Sequence, residues 1–181
     1  MKVTKTALEG VVIIEPAVFR DRRGSFAETF SEVRFAEMVA PVRFVQDNES
    51  RSAHGVVRGL HFQKEPHAQA KLVRVVSGLI IDVAVDMRRL SPTFGQWVAV
   101  ELSEENGRQL FLPRGFAHGF SVPGESATVA YKCDGYYAPQ SDGGVLWNDP
   151  ALGIDWQIDP AETVVSDKDA ALPLFKNAYA F

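Results

Sequence analysis

Residues 107–120 read GRQLFLPRGFAHGF. Gln109 to Leu112 is a short apolar strand, and Pro113 ends it because proline has no N–H to continue a ladder. Gly115 permits a tight turn, and His118 is then delivered to the mouth of whatever the strands enclose. Outward from here the chain repeats the same grammar. Lys71 to Val76 is a strand closed by Ser77-Gly78, and Leu79 to Val85 follows at once. Gln96 to Leu102 opens after Gly95, and Ala127 to Tyr131 and Gly144 to Trp147 add two more. Short strands at spacings of about 8–12 residues, with turn chemistry between them, predict a sandwich or barrel. Helix signals are few. Ser31 caps a short helix through Val39, with Phe35, Met38 and Val39 on one face, and Ser166 opens a second at S-D-K-D-A-A.

The bulk numbers narrow the class. At 181 residues the chain is read as one domain, 1–181, with N- and C-terminal extensions packed on the strands. A net charge of −4 gives no whole-chain reason to expect nucleic acid or an anionic membrane as partner. No apolar run approaches the roughly 18 residues of a membrane helix, and the run Val11–Ile14 is too short for a signal peptide. Cys133 is the sole cysteine, which fits a reducing cytoplasm. No G-x-G-x-x-G, P-loop or alternating strand–helix pattern is present, which argues against a nicotinamide-binding domain.

The opening stretch resembles the second motif of the cupin barrels, G-x5-P-x-G-x2-H-x3-N. Gly107, Pro113, Gly115 and His118 match it, and Val122 replaces the final Asn. The first motif, G-x5-H-x-H-x3,4-E-x6-G, is matched by Gly55, His61 and Gly78, but Gln63 stands for the second His and Lys71 for the carboxylate. The fold expected is therefore mainly β, a cupin-type jelly-roll barrel with a few short helices. An ammonium in the ligand shell does not suit a divalent ion, so no metal is expected. A free imidazole near neutral pH is a proton-transfer group, and a lysine beside it can stabilise an oxyanion. His61, Lys71 and His118 facing one cavity thus suit proton abstraction beside a carbonyl. Taken singly, each histidine reads equally well as a satisfied core residue.

Beyond the barrel motifs, the chain is similar to the dTDP-4-dehydrorhamnose 3,5-epimerase family over about Ile14 to Leu174. The carriers are DRRGSFAETF (21–30), FVQDNESRS (44–52), VVRGLHFQ (56–63), AKLVRVVSG (70–78), SPTFGQW (91–97), LPRGFAHGF (112–120), YKCDGYYAP (131–139) and LWNDP (146–150). The resemblance implies inversion of the centres beside the ketone of a dTDP-4-keto-6-deoxyhexose, without a redox cofactor, by a homodimer. It implies His61 as base, Asp169 as the acid orienting that imidazole, Tyr131 as proton donor on the opposite face and Lys71 beside the sugar. It further implies His118 at the sugar and Arg23 and Arg58 at the diphosphate. Phe26, Glu28, Gln46, Asn48, Asp142 and Lys168 fall at other nucleotide-sugar contacts, with Tyr137 stacking on thymine. Each has a plainer reading: Asp169 closes an S-x-x-D cap from Ser166, Tyr131 is a packed aromatic, and Arg23 is a solvated loop charge. Departures from the family pattern are Glu49 where His is frequent, Asp142 where Glu is common, and Ser25 for an apolar residue. These leave open a relative that inverts one centre. The residues also admit a metal-dependent cupin enzyme or a non-catalytic nucleotide-sugar-binding protein. His54 and His67 are assigned no role.

Overall fold

The computed structural model describes residues 1–181. The strands are β1 Lys2–Lys5, β2 Val12–Glu15, β3 Val18–Asp21, β4 Gly24–Ala27, β5 Gln46–Ala53, β6 Val57–Gln63, β7 Lys71–Asp86, β8 Trp97–Ser103, β9 Gln109–Leu112, β10 Phe116–Ser121, β11 Ser126–Cys133 and β12 Asp142–Gly144. The helices are α1 Glu32–Met38 and α2 Asp167–Ala170, with three single-turn 3₁₀ segments besides.

The two runs read on either side of Ser77-Gly78 are one 16-residue strand, β7, and that strand organises the barrel. Its first half pairs antiparallel with β9 and β11, its second half with β10 and β8. One wall is thus β1-β2-β9-β7-β11-β5, and the other β12-β6-β10-β7-β8. A register shift of β11 opposite Ser77 marks the passage from one wall to the other, as bulges do at barrel corners. The proline-glycine turn between β9 and β10 forms as expected, with Gly115 at φ +93°.

Apolar side chains from both walls interdigitate inside, among them Val73, Ile80, Leu110, Phe116 and Val129. The outer face of the second wall carries Val83, Val85 and Met87, and the coil after β12 covers it with Val145, Leu152 and Trp156. On the outer face of the first wall, α1 lays Phe35 against Leu72 and Phe111. Ser31 caps that helix as expected, but Met38 is half exposed and does not share the buried face of Phe35. The expected strand over Gly144–Trp147 is also corrected: the ladder ends at Gly144. Val145 still exchanges both backbone hydrogen bonds with Leu60, and the chain then turns on Asp149, whose side chain accepts from the N–H groups of Ala151 and Phe175. No local pattern announces β5; its inward positions are Gln46, Asn48, Ser50 and Ser52.

A fully buried carboxylate pins the end of β7. Asp86 accepts from the Arg88 backbone N–H and guanidinium and from the Ser91 and Thr93 hydroxyls. Burial alone would raise its pKa, but these donors hold it at about 2. A carboxyl depressed on folding stabilises above its unfolded value and loses that stabilisation as pH falls towards the folded one. Asp86→Asn is expected to cost about 2 kcal/mol at pH 7. In chemical denaturation the gap between the two proteins should shrink between about pH 4 and pH 2.

Candidate active site

A cleft of about 350 Å³ opens between the two walls. From the second wall β6 contributes His61 and β12 contributes Asp142. From the first wall come Lys71 on β7, Tyr131 and Cys133 on β11, and Gln46 and Asn48 on β5; Tyr137 and Lys168 complete the rim. The register explains the grouping, because Tyr131 faces Asn48 on one side and Val73 on the other, and Cys133 faces Gln46 and Lys71. Side chains at every second position of these strands point to one face.

His61 and Asp169 lie 108 residues apart in sequence and form a direct pair, with His61 Nε2 2.7 Å from Asp169 Oδ1. The other carboxylate oxygen accepts the Gly59 N–H at 3.0 Å. Burial pushes the Asp169 carboxyl up, but the hydrogen bonds from His61 and Gly59 prevail and hold it below the ordinary range. It therefore stays an anion, and with Nε2 committed to it, Nδ1 is the ring nitrogen with no hydrogen-bond partner in the chain. Ser166 Oγ also accepts the Asp169 N–H at 3.1 Å. Asp169 thus takes part in the Ser166 cap through its N–H while its carboxylate holds the His61 ring. Gly59 has its own requirement: a Cβ there would stand 2.6 Å from Gly119 Cα, so β6 and β10 meet closely where the dyad is anchored.

Across the cleft, the Tyr131 phenol is raised by burial and by Cys133, with Arg58 opposing, so it is a neutral O–H donor at pH 7. Burial lowers the Lys71 ammonium, while Cys133, Asp82 and Asp142 act to restore it. Gln46 accepts the Tyr137 backbone N–H at 3.0 Å and donates to Asn48, which orders the rim beneath the exposed Tyr137 ring. Lys168 and Asp142 form an ion pair over the mouth.

The remaining expected residues lie elsewhere. His118 faces His61 in register but is buried one layer deeper, with Nε2 2.8 Å from Asp82 Oδ1 rather than lining the cleft. Arg58 is exposed beside the cleft and donates to Ser52 Oγ. Arg23 and Phe26 stand on the β3–β4 hairpin, which pairs with no other strand; Arg23 is bound by Asp21 and Phe26 is exposed. Glu28 follows that hairpin and meets Arg34 at 3.2 Å. Glu49 projects outward from β5, away from the cleft wall. Gln63, at the position of a cupin metal ligand, braces the backbone instead: it donates to the carbonyls of His67 and Tyr136 and accepts from Ala138 N–H. No three His, Cys, Asp or Glu side chains are grouped to hold a metal ion. Sequence reasoning passed over Asp82, although an aspartate inside LIIDVAVD signals a buried polar partner.

The sequence model described as dTDP-4-dehydrorhamnose 3,5-epimerase matches residues 5–177. The enzyme of that name from Salmonella typhimurium is 52% identical over 179 residues, covering 98% of this chain and 97% of that one. A crystal structure of the dTDP-4-dehydrorhamnose 3,5-epimerase of Elizabethkingia anophelis superposes with a TM-score of 0.94 at 50% identity, over 99% of both chains. A dTDP-6-deoxy-D-glucose-3,5-epimerase from Legionella pneumophila, solved in complex with dTDP-4-keto-L-rhamnose, also gives 0.94 at 48% identity, over 97% of this chain and 93% of that one. Its fold, its cleft and these likenesses together place the chain in the dTDP-4-dehydrorhamnose 3,5-epimerase family.

Proposed function

We infer that the chain converts dTDP-4-keto-6-deoxy-D-glucose to dTDP-4-keto-L-rhamnose, with His61 as base and Tyr131 as acid. The observation that carries these roles is their placement: the His61–Asp169 pair stands on one wall and Tyr131 with Lys71 on the other, so a sugar ring between them offers one face to each. The 4-ketone acidifies the hydrogens on both neighbouring carbons. His61 Nδ1 takes one proton, the C–H electron pair enters the enolate, and the charge settles on the ketone oxygen. Lys71 supplies the cation for that oxygen. The Tyr131 O–H then returns a proton from the opposite face, and the centre inverts. The Asp169 anion stabilises the imidazolium formed in the first step.

Gln46, Asn48, Tyr137, Asp142 and Lys168 ring the mouth and are assigned to the nucleotide end. Arg23 and Phe26 stand on a hairpin that pairs with no other strand, and neither lines the cleft of its own chain. Their assignment to the nucleotide therefore goes with a homodimer, in which the hairpin of one copy serves the cleft of the other. The enzyme is assigned to the cytoplasm, which the lone buried thiol Cys133 fits; no helix is long and apolar enough to cross a membrane.

The test is NMR of dTDP-4-keto-6-deoxyglucose in deuterium oxide with catalytic enzyme. Deuterium is expected at both carbons flanking the ketone. Label at one carbon only would reduce the reading to a mono-epimerase, and binding without exchange would remove it.

A further inference from the structure

Behind the cleft lies a second acid–imidazole pair that the proton transfers above do not use. Asp82 on β7 is fully buried, and one oxygen, Oδ1, binds His118 Nε2 at 2.8 Å. The other oxygen, Oδ2, has no hydrogen-bond partner in the chain; the only other such buried side-chain atom is the Ser50 hydroxyl. An unpaired buried carboxylate oxygen is strongly unfavourable unless a cation faces it. The nearest cation in the cleft is Lys71: it lines the cleft with His61, His61 faces His118 in register, and His118 binds Asp82, so the carboxylate stands one layer behind the ammonium. We propose that Asp82 is a positioning residue for the epimerisation: its free Oδ2 is the fixed counter-charge that keeps the Lys71 ammonium protonated and aimed at the enolate oxygen, while His118 locks the carboxylate through Oδ1.

The surroundings make such a counter-charge necessary. Around Lys71 stand Cys133 and Tyr131 from β11, Asp142 from β12, His61 from β6 and His118 from β10; Leu112 from β9 is its apolar neighbour. Asp142 is committed to Lys168 at the rim. The thiol and phenol are both raised by burial, so they are neutral at pH 7. Asp82 is thus the one fully buried carboxylate near Lys71, and its second oxygen has no hydrogen-bond partner in the chain. Burial otherwise drives the lysine towards the neutral amine, in which form it cannot hold an oxyanion.

The proposal rests on Lys71 as the oxyanion cation, and the experiment separates the two. Full pH profiles of kcat and KM would be measured for wild type, Asp82→Asn, Asp82→Glu, His118→Gln and Lys71→Met. Lys71→Met is expected to lose activity at every pH; retained activity would remove the parent reading. Asp82→Asn is expected to shift the alkaline limb of kcat down by about one pH unit or more, the scale on which a nearby opposite charge moves a titrating group. KM should change little, and Asp82→Glu should restore the limb. His118→Gln keeps the carboxylate, so its limb should stay at or above the wild-type position, and this variant serves if Asp82→Asn fails to fold. An inactive Lys71→Met beside an unmoved limb in Asp82→Asn, or a limb that falls in His118→Gln, would overturn the role of Asp82 alone.

Discussion

His61→Asn is expected to abolish epimerisation and solvent exchange together while leaving the fold intact. The imidazole is the sole group on its wall that combines an accepting nitrogen towards the cleft with an anion behind it. Asparagine keeps a polar group against Asp169 but has no basic atom. Positioned acid–base groups contribute roughly 10²–10⁴-fold, and a base required before any later step sits at the upper end. A fall of about 10³-fold or more in kcat corresponds to about 4 kcal/mol of barrier. The side chain is about one-third exposed (33%), so its truncation leaves little void. Asp169 keeps the Gly59 N–H and the Ser166 cap, which limits the cost of its lost partner. Thermal melts within a few degrees of wild type, with no deuterium entering substrate over hours, are the expected pair of results. Continued exchange in a folded His61→Asn protein would show that another group removes the proton.

Much of this site was legible, for reasons that differ from residue to residue. The spacing of Gly107, Pro113, Gly115 and His118 reports the β9–β10 turn, because proline and glycine act locally. His61 and Lys71 followed from the same kind of count. β5 left no such trace, since its inward face is Gln46, Asn48, Ser50 and Ser52. A strand that lines a polar cleft gives up the apolar alternation by which strands are recognised. The same holds for Asp169, whose local neighbourhood speaks only of a helix cap; its contact with His61 closes a span of 108 residues that no local pattern encodes. Resemblance to a family supplied that pair, and the geometry now gives it a distance. His118 shows the opposite error. Its motif position suggested a cleft residue, yet the aspartate inside LIIDVAVD drew the ring into the barrel wall. The cleft and its backing sit where local rules are broken: a polar strand, a carboxylate in an apolar run, and two strands meeting at Gly59 more closely than any side chain allows.

Tyr131→Phe is expected to separate the two halves of the reaction. The ring packs on the interior cluster, and its hydroxyl makes no hydrogen bond within the chain. Loss of the oxygen therefore changes stability by no more than about 1 kcal/mol. His61 and Lys71 remain, so the first proton still leaves and the enolate still forms. No acid waits on the opposite face, and the enolate takes its proton back from His61 on the face it left. In deuterium oxide the imidazolium exchanges with solvent before it returns the proton. Substrate should then gain deuterium at the first carbon to react with its configuration retained, while inverted product falls roughly 10²–10⁴-fold. NMR reads both quantities in one tube, the label from signal loss and the configuration from ring couplings. Product at the wild-type rate would show that Tyr131 is packing only. Equal loss of exchange and inversion would place Tyr131 in the formation of the enolate, not in its capture. Retained configuration with retained exchange is the outcome that the proposed roles predict, because His61 on β6 and Tyr131 on β11 stand on separate walls of the barrel.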